Sequence, residues 1–401
     1  MAQQGAVFYQ SYLINDPAII AQVLDGDDSA FPKSGIVAQG LRPLLGNSVF
    51  VSNGAQWARA RALIDPAFAH GRLRESFAPL RAASAEMLAR LQGGGAVEME
   101  AQMSHTTADV MMRLLFSLPI SEASAAQVYS AFQAYQRAQP LLSPLSLLRL
   151  PGLGLHKGRR EAAVIRGLLD GLIRQRRADL SAGRAPEDLA TQLLLARDAQ
   201  GQGFDDGQMA DQVAIFFLAG HETSASALAW GLYLLATHGD VQDKVRAERA
   251  AVGMGPLEFG ALKHLPVTRN VVRETLRLYP PVPMMLRDVA RPQVWRGRRV
   301  RPGALAILAP WFLHRHTKLW DNPDAFDPDR WSGEVPKGAY IPFSKGPRVC
   351  PGAGFATMEA VVILSDLVAA FEITPQGPPP VPVAHLTLRA EGGIGLYLHP
   401  R

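Results

Sequence analysis

The single cysteine of the chain, Cys350, lies in the segment PFSKGPRVCPGAGFA, whose residues suit the surroundings of a metal-bound sulfur. Gly346 and Gly352 let the backbone pass close to a flat macrocycle and aim amide N–H groups at the sulfur. Phe343 can pack an aromatic face near the sulfur, and Arg348 offers a fork of donors to a propionate carboxylate. A lone cysteine is more often a buried, inert side chain. These neighbours favour a thiolate ligand instead.

A second candidate is the sequence AGHETS, in which an acid and an alcohol, Glu222 and Thr223, are adjacent within a long apolar segment. A buried threonine can simply donate a hydrogen bond to the carbonyl four residues earlier, which would make Thr223 structural. The order His221-Glu222 also begins like the zinc motif H-E-x-x-H, but Ala225 occupies the second histidine position and excludes it. The sequence alone leaves the role of Thr223 open.

Three further signatures are weaker when each is taken alone. Glu274 and Arg277 are three residues apart and share a helix face, yet such pairs are usually solvated surface contacts. Trp57 and Arg61 are one helical turn apart, a pattern that is also common on an ordinary amphipathic helix. His314, in FLHRHTKLW, is expected to be a hydrogen-bonded structural histidine rather than a ligand.

The elements that must position these residues are predicted to be mainly helical. Residues 104–238 read as successive amphipathic helices, with breaks near 140–158 and 181–186. The longest predicted helix, 206–238, would be roughly 50 Å long. It is apolar nearly all round, but Glu222 at its middle would cost ~2.5–3.5 kcal/mol in a bilayer, which favours a buried core helix. Short strands are predicted at 11–16, 293–300, 305–310 and 386–400, the last as a hairpin turning at 391–393.

The chain is predicted to form one globular domain over residues 1–401, because it shows no repeat of fixed period and no low-complexity linker. The chain is 48% hydrophobic and 19% charged, which excludes a disordered or fibrous protein. One cysteine allows no intramolecular disulfide, so a reducing compartment such as the cytoplasm is expected. No signal peptide or N-terminal membrane anchor is visible. The net charge of +5 comes with arginines spread along the chain and no nucleic-acid motif, and an acidic protein partner fits it equally well.

Taken in order, these segments resemble the cytochrome P-450 superfamily, and specifically its soluble, bacterial-type members. The order is Trp57, the AGHETS helix, Glu274 with Arg277, the FDPDRW segment with Arg330, and the Cys350 loop. The resemblance runs from about residue 48 to the C-terminus, and the region before it is shorter than is usual for the family. It implies a mainly α fold with a small β-rich side (α+β), prism-like in shape. Haem would lie between the long helix and the cysteine loop.

The resemblance also implies a role for each site residue. Cys350 would be the axial ligand of haem b iron, a thiolate that favours O–O cleavage. Ala219 would leave room above the haem, and Glu222 with Thr223 would deliver protons during O2 activation. Val282 and Met284 would face the substrate. The cofactor-binding set comprises Trp57, Arg61, Arg287 and Arg348 for the propionates and Phe343, Gly346 and Gly352 in the loop, and the structural set comprises Glu274, Arg277 and Arg330.

The implied activity is hydroxylation or epoxidation of an apolar organic substrate by a monomeric, O2-dependent monooxygenase. The chain offers no flavin or iron–sulfur segment beyond this fold, so NAD(P)H would act only indirectly, through an acidic ferredoxin or flavodoxin and its reductase. Lys345, Arg59 and Lys337 are expected at the docking face. The apolar segment 140–155 favours a hydrophobic guest, with ordinary packing between helices as the equal alternative. A peroxide-driven hydroxylase and a non-catalytic haem-thiolate sensor are the alternatives.

Overall fold

The computed structural model of the protein describes residues 2–6, 9–138, 158–253 and 255–401. The apolar segment 140–155 lies outside the described residues, so the prediction that it favours a hydrophobic guest is not addressed by the fold. Helices account for 57% of the structure, and the sheets are small. The predicted fold class, mainly α with a small β-rich side, is confirmed.

Helices α5 to α9 of the described residues occupy the predicted helical region 104–238, and further helices lie before and after it. They are α1 Pro17–Asp25, α2 Gly35–Leu45, α3 Gly54–Ile64, α4 Phe77–Leu91, α5 Met99–Phe116, α6 Ala123–Ala138, α7 Arg159–Ser181, α8 Leu189–Leu195, α9 Asp206–Thr237, α10 Gly239–Val252, α11 Pro266–Leu278, α12 Pro310–Leu313 and α13 Ala353–Ala370.

The strands of the described residues form four small sheets. They are β1 Ala2–Ala6, β2 Tyr9–Ile14, β3 Gly95–Glu98, β4 Met285–Asp288, β5 Gln293–Trp295, β6 Arg298–Val300, β7 Leu305–Leu308, β8 Phe371–Pro375, β9 Val381–Ala384, β10 Leu388–Glu391 and β11 Gly395–Pro400. The sheet orders are β1-β2-β7-β4, β3-β11-β8, β9-β10 and β5-β6. Within the first sheet, β2 and β7 run parallel although almost 300 residues separate them, and β4 pairs antiparallel with β7.

The prediction that residues 386–400 form a hairpin is wrong. β10 pairs with β9, a strand from the proline-rich segment, whereas β11 pairs with β3 and β8. Gly392 and Gly393, with φ of 77° and 83°, turn the chain between the two sheets. The Glu98 carboxylate accepts a hydrogen bond from the Ile394 amide at 3.0 Å and so holds the turn against β3. The alternation of apolar and polar residues predicts that a segment is a strand, but it does not identify the strand with which that segment pairs.

The predicted long helix is α9, which spans both main parts of the core. Asp205 and Gln208 form a capping box at its start, because each side chain accepts a hydrogen bond from the other residue's backbone amide. Residues 209–218 pack among α2, α5, α6 and α7, and residues 225–235 pack among α4, α10, α11 and α13. The middle of α9, with AGHETS, therefore lies at the centre of the protein.

Of the described helices, one is apolar and long enough to cross a membrane. It is α13, which follows the cysteine loop, and 61% of it is buried among the other helices. Burial in the protein core accounts for an apolar helix of this kind.

Candidate active site

Cys350 lies in a tight loop before α13, and one backbone amide of this loop, that of Gly352, is directed at its sulfur. The Cys350 amide donates a hydrogen bond to the Phe343 carbonyl at 2.9 Å, and the Gly352 amide donates to the sulfur. The side chain is exposed, yet the protein around it removes enough water to raise the pKa of the thiol. The Gly352 amide and the positive charges of Arg61 and Lys33 act in the opposite direction and favour the thiolate.

The rest of the loop is docked on α1 and on the segments that follow it, which gives two predicted residues neighbours that sequence reasoning did not expect. Gly346 has φ +70°, and a Cβ atom there would lie 2.1 Å from the Leu24 carbonyl oxygen. The close approach of α1 therefore requires this glycine. The Arg348 guanidinium donates to both oxygens of Asp28 at 2.5 and 2.7 Å and to Asn53 Oδ1 at 2.8 Å. Both residues thus fix the loop to the surrounding protein.

Four basic side chains converge beside this loop with more positive charge than their neighbours compensate. Burial and the charges of Arg287, Arg348 and Arg61 hold the pKa of Lys33 well below its usual range, against the opposing effect of Asp28. Burial and the Arg348 charge lower the pKa of Arg287 to about 10. Carboxylates placed among these cations would relieve the repulsion. The cluster therefore fits the two propionates of a haem.

Trp57 and Lys33 complete this cluster from α3 and from the segment before α2. The Arg348 guanidinium lies 4.3 Å from the centroid of the Trp57 ring, a cation–π contact. Lys33 pairs with Arg287 through an isolated β-bridge, and its Nζ donates to the Phe50 carbonyl at 2.7 Å. Sequence reasoning missed Lys33. It is the only lysine in the first 150 residues, and no local motif links it to Arg287.

The middle of α9 is buried except for one face, formed by Ala219, Gly220, Thr223 and Ala227. These positions recur at helical spacing and make a continuous stripe of small side chains. Gly220 is required by α5, since a Cβ atom there would lie 2.3 Å from the Met111 sulfur. The Thr223 hydroxyl donates to the Ala219 carbonyl at 2.5 Å. This is the hydrogen bond of the structural alternative, and the hydroxyl oxygen can still accept a further hydrogen bond.

Glu222 is buried on a different face of α9 from Thr223. One carboxylate oxygen accepts a hydrogen bond from Arg389 at 3.2 Å, and the other has no partner among the described residues. Burial raises the pKa of Glu222, and Arg389 partly opposes that effect. The neighbouring His221 is fully buried, and desolvation lowers its pKa to about 3, so its ring is neutral at physiological pH.

The predicted contact between Glu274 and Arg277 is buried, with both side chains 0% exposed. Arg277 donates to the two Glu274 oxygens at 2.8 and 2.9 Å. Arg330 donates to Glu274 Oε1 at 2.9 Å. The same carboxylate accepts from the Trp331 indole and from the Asp327 amide, both at 3.0 Å. The structure therefore brings the three predicted residues together in the interior rather than on the surface.

His314 connects this buried cluster to the segment that leads into the cysteine loop. Its Nε2 accepts a hydrogen bond from the Ile341 amide at 3.0 Å, and its Nδ1 lies 3.2 Å from the Arg277 carbonyl oxygen. Because Nε2 is an acceptor, Nδ1 carries the proton in the neutral ring. Burial lowers the pKa of His314 to about 3, which keeps the ring neutral. Its role here is structural.

Val282 and Met284 lie in the turn between α11 and β4, and both are half-buried. The same turn is tied to the β9–β10 hairpin, because the Leu388 amide donates to the Pro281 carbonyl at 2.9 Å. The predicted substrate-facing residues and the hairpin therefore lie on the same side of the protein.

Comparison with known proteins identifies the family. The family model described as Cytochrome P450 matches residues 6–394. Cyclooctat-9-en-7-ol 5-monooxygenase of Streptomyces melanosporofaciens is 33% identical over 91% of this chain and 81% of its own length. Leukotriene-B4 omega-hydroxylase 3 of Mus musculus is 29% identical over 95% and 79%. The structure of a retinoic acid-bound cyanobacterial CYP120A1 has a TM-score of 0.87 and 25% identity, and the match covers 100% of this chain and 91% of that one. This chain belongs to the cytochrome P450 family.

Proposed function

We propose that the protein uses a haem b iron, ligated by Cys350, to activate O2 and insert one oxygen atom into an apolar organic molecule by hydroxylation or epoxidation. Family membership makes the chain a haem-thiolate monooxygenase. The observation that supports Cys350 as the ligand is the position of its sulfur, which lies next to Gly352 and beside a cluster of basic side chains. When bound, the haem would supply the oxygen chemistry.

The residues on the Cys350 side of the expected haem would stabilise the thiolate and hold the cofactor in place. The Cys350 thiol must lose its proton to bind a metal, and the Gly352 amide with the charges of Arg61 and Lys33 stabilises the thiolate. Lys33, Arg61 and Arg287 would hold the propionates. Phe343 is partly buried against the core, so it would limit access of water to the sulfur.

On the distal side, Thr223 and Glu222 would manage protons. The Thr223 hydroxyl donates to Ala219, so its remaining capacity is to accept a hydrogen bond from water. Glu222 is buried and has a raised pKa, as is usual for a carboxyl group that both gains and releases a proton near neutral pH. The two residues would therefore act through a water that lies between them.

An apolar substrate is supported by the chemistry of the site and by the relatives. The accessible stripe of α9 consists of Ala219, Gly220, Thr223 and Ala227 and presents little polarity. Cyclooctat-9-en-7-ol, leukotriene B4 and retinoic acid appear in the names of the proteins that this chain resembles. We therefore propose a largely hydrocarbon substrate, with Val282 and Met284 on its side of the site.

We further propose that electrons come from an acidic ferredoxin or flavodoxin that meets this protein, a monomer, in the cytoplasm. Of the three basic residues expected at the docking face, Arg59 donates to Asp198 at 2.6 Å, and Lys345 pairs with Asp25. Lys337 is exposed. Since ion pairs reduce the field of Arg59 and Lys345, Lys337 is the strongest of the three candidates.

The test of this function is the spectrum of the reduced protein under carbon monoxide. The wild type should contain b-type haem and show the red-shifted band that a thiolate ligand gives, and Cys350→Ser should lose it. A band that persisted in Cys350→Ser would contradict the ligand assignment. NADPH consumption with a surrogate redox system, against activity with hydrogen peroxide alone, separates a monooxygenase from a peroxide-driven hydroxylase and from a sensor without turnover.

A further inference from the structure

Two aromatic rings lie in contact in the core, one from α9 and one from the residue that follows α11. The rings of Trp230 and Tyr279 are stacked, with centroids 4.0 Å apart and an interplanar angle of 5°. Rings in this arrangement bring their π systems together. Indole and phenol are also the side chains without sulfur that give up an electron most readily. An electron can therefore pass between Trp230 and Tyr279 without a gap in the packing.

Trp230 lies on the side of α9 that carries the alcohol of the site. It follows Thr223 by seven residues, which is almost two full turns and about 10 Å along the helix axis. Ala227 lies between them on the same stripe. The Trp230 side chain is fully buried, and its indole nitrogen has no hydrogen-bond partner among the described residues. An oxidised Trp230 would therefore keep its proton and remain a cation that takes an electron from its neighbour.

Tyr279 has the access to solvent that Trp230 lacks, because it is only half-buried at the end of α11. Burial raises the pKa of its phenol, the positive charge of Arg315 opposes that effect, and no hydrogen bond to a described residue contributes. A phenol that loses an electron also loses its proton, which here can pass to water. Oxidation of Tyr279 therefore gives a neutral radical at a position that small molecules in solution can approach.

Arg315 determines which ring of this cluster can hold the oxidising equivalent. Its guanidinium carbon lies 3.8 Å from the centroid of Trp311, the neighbouring ring, and 5.7 Å from that of Tyr279. The centroids of Tyr279 and Trp311 are 6.1 Å apart. A positive charge this close disfavours a second one on Trp311, whereas it favours loss of the proton from Tyr279. Asp324 pairs with Arg315 at 3.3 Å but is 83% exposed, so it offsets the charge only in part.

We propose that Trp230 and Tyr279 protect the enzyme by carrying an oxidising equivalent away from the site when no substrate consumes it. This inference rests on the proposed function. Trp230 gives one electron to the oxidant in the site and recovers it from Tyr279, which releases its phenol proton to water. A small one-electron reductant in solution, such as a thiol, then returns one electron and one proton to Tyr279. Both side chains are unchanged after each cycle, and the reductant has supplied the electron.

The experiment traps the radical rather than the product. The ferric holoenzyme is mixed with a peracid in the absence of substrate, frozen within milliseconds and studied by electron paramagnetic resonance, with ring-deuterated tyrosine to identify a tyrosyl signal. The wild type should give a tyrosyl radical, and Tyr279→Phe should lose it. Trp230→Phe should lose most of it, because the electron then has no intermediate donor. Phenylalanine keeps an aromatic ring in the packing, and haem content measured on the same samples verifies that the variants are folded.

Two aromatic residues outside the stacked pair provide matched controls. Trp295 is also 0% exposed and stacks on Phe31 on the β-rich side, so Trp295→Phe should leave the tyrosyl signal unchanged. Tyr233 meets Trp230 edge to face, at 6.0 Å and 88°, so Tyr233→Phe should also leave it unchanged. Arg315→Gln removes the cation over Trp311, and part of the radical should therefore move from Tyr279 to that tryptophan. A tyrosyl signal that survives in Tyr279→Phe, or that is insensitive to Trp230→Phe, overturns the proposal.

A second arm oxidises the same proteins with a ruthenium photosensitiser in solution and needs no oxygen chemistry. A radical on Tyr279 in this arm but not with the peracid would show that the pair is not connected to the site, and the protective role would be wrong. If Cys350→Ser showed instead that the ligand assignment is wrong, the photosensitiser would still report whether Trp230 and Tyr279 exchange an electron. The last readout is survival, since Trp230→Phe and Tyr279→Phe should lose haem absorbance faster than the wild type during peracid treatment, and equal rates would exclude protection.

Discussion

Replacing Glu274 by glutamine keeps the volume of the side chain and removes its charge from the buried cluster with Arg277 and Arg330. The carboxylate accepts five hydrogen bonds, from Arg277 Nε and Nη2, Arg330 Nε, the Trp331 indole and the Asp327 amide. The variant leaves Arg277 and Arg330 without their counter-charge. In addition, the NH2 group of the glutamine side chain is itself a donor and faces N–H donors where a carboxylate oxygen accepted hydrogen bonds. Breaking a buried ion pair in this way costs about 3–5 kcal/mol.

The size of that cost sets the expected shift in melting temperature. For a chain of 401 residues, an unfolding entropy of about 2.1 cal/mol/K per residue gives a decrease of about 4–6 °C. The matched control is Glu75→Gln, because Arg72 and Glu75 have the same spacing but are 44% and 53% exposed. A surface pair contributes about 0–1 kcal/mol, so the control should shift the melting temperature by about 1 °C or less.

Melting would be followed by circular dichroism at one fixed scan rate, with haem content measured on the same preparations. Glu274→Gln should bind less haem, because the Arg277 guanidinium also donates to the His314 and Pro323 carbonyls at 2.9 and 2.5 Å. Those carbonyls belong to the chain that leads into the cysteine loop. If Glu274→Gln and Glu75→Gln showed equal shifts and full haem content, the argument that the cluster shapes the proximal side would be refuted.

Three further outcomes are expected. Thr223→Ala should still bind haem and accept electrons, but it should form less product per NADPH consumed and release hydrogen peroxide, whereas Thr223→Ser should remain close to wild type. An unchanged ratio of product to NADPH in Thr223→Ala would show that the hydroxyl serves only as the hydrogen-bond donor to the Ala219 carbonyl. Burial raises the pKa of Glu359 to about 8. Its contribution to stability is therefore full below about pH 4.5 and lost as pH rises to about 8, so Glu359→Gln should flatten the pH dependence of urea unfolding in that window. Turnover should fall with ionic strength and in Lys337→Glu, whereas salt-insensitive reduction would exclude the proposed acidic partner.

The amino-acid sequence predicted those parts of the protein whose causes are local. The Cys350 loop carries its glycines, arginine and phenylalanine within ten residues, and the long helix was predicted to within one residue of its end at Thr237. Helical periodicity and the position of small residues depend on neighbours three or four apart, which a single sequence displays directly. The assignment to the cytochrome P450 family followed from the order of such local motifs.

Contacts between distant segments were decided only by the tertiary structure. Lys33 joins the cationic cluster through a bridge to Arg287, Gly346 is required by the Leu24 carbonyl, and Arg389 reaches Glu222 across 167 residues. The hairpin error has the same origin, since β10 and β11 alternate as strands but pair in different sheets. Local patterns determine which residues can form a helix, a strand or an ion pair, whereas packing of the whole chain selects the partner, because that choice depends on burial and charge contributed by segments far apart in sequence.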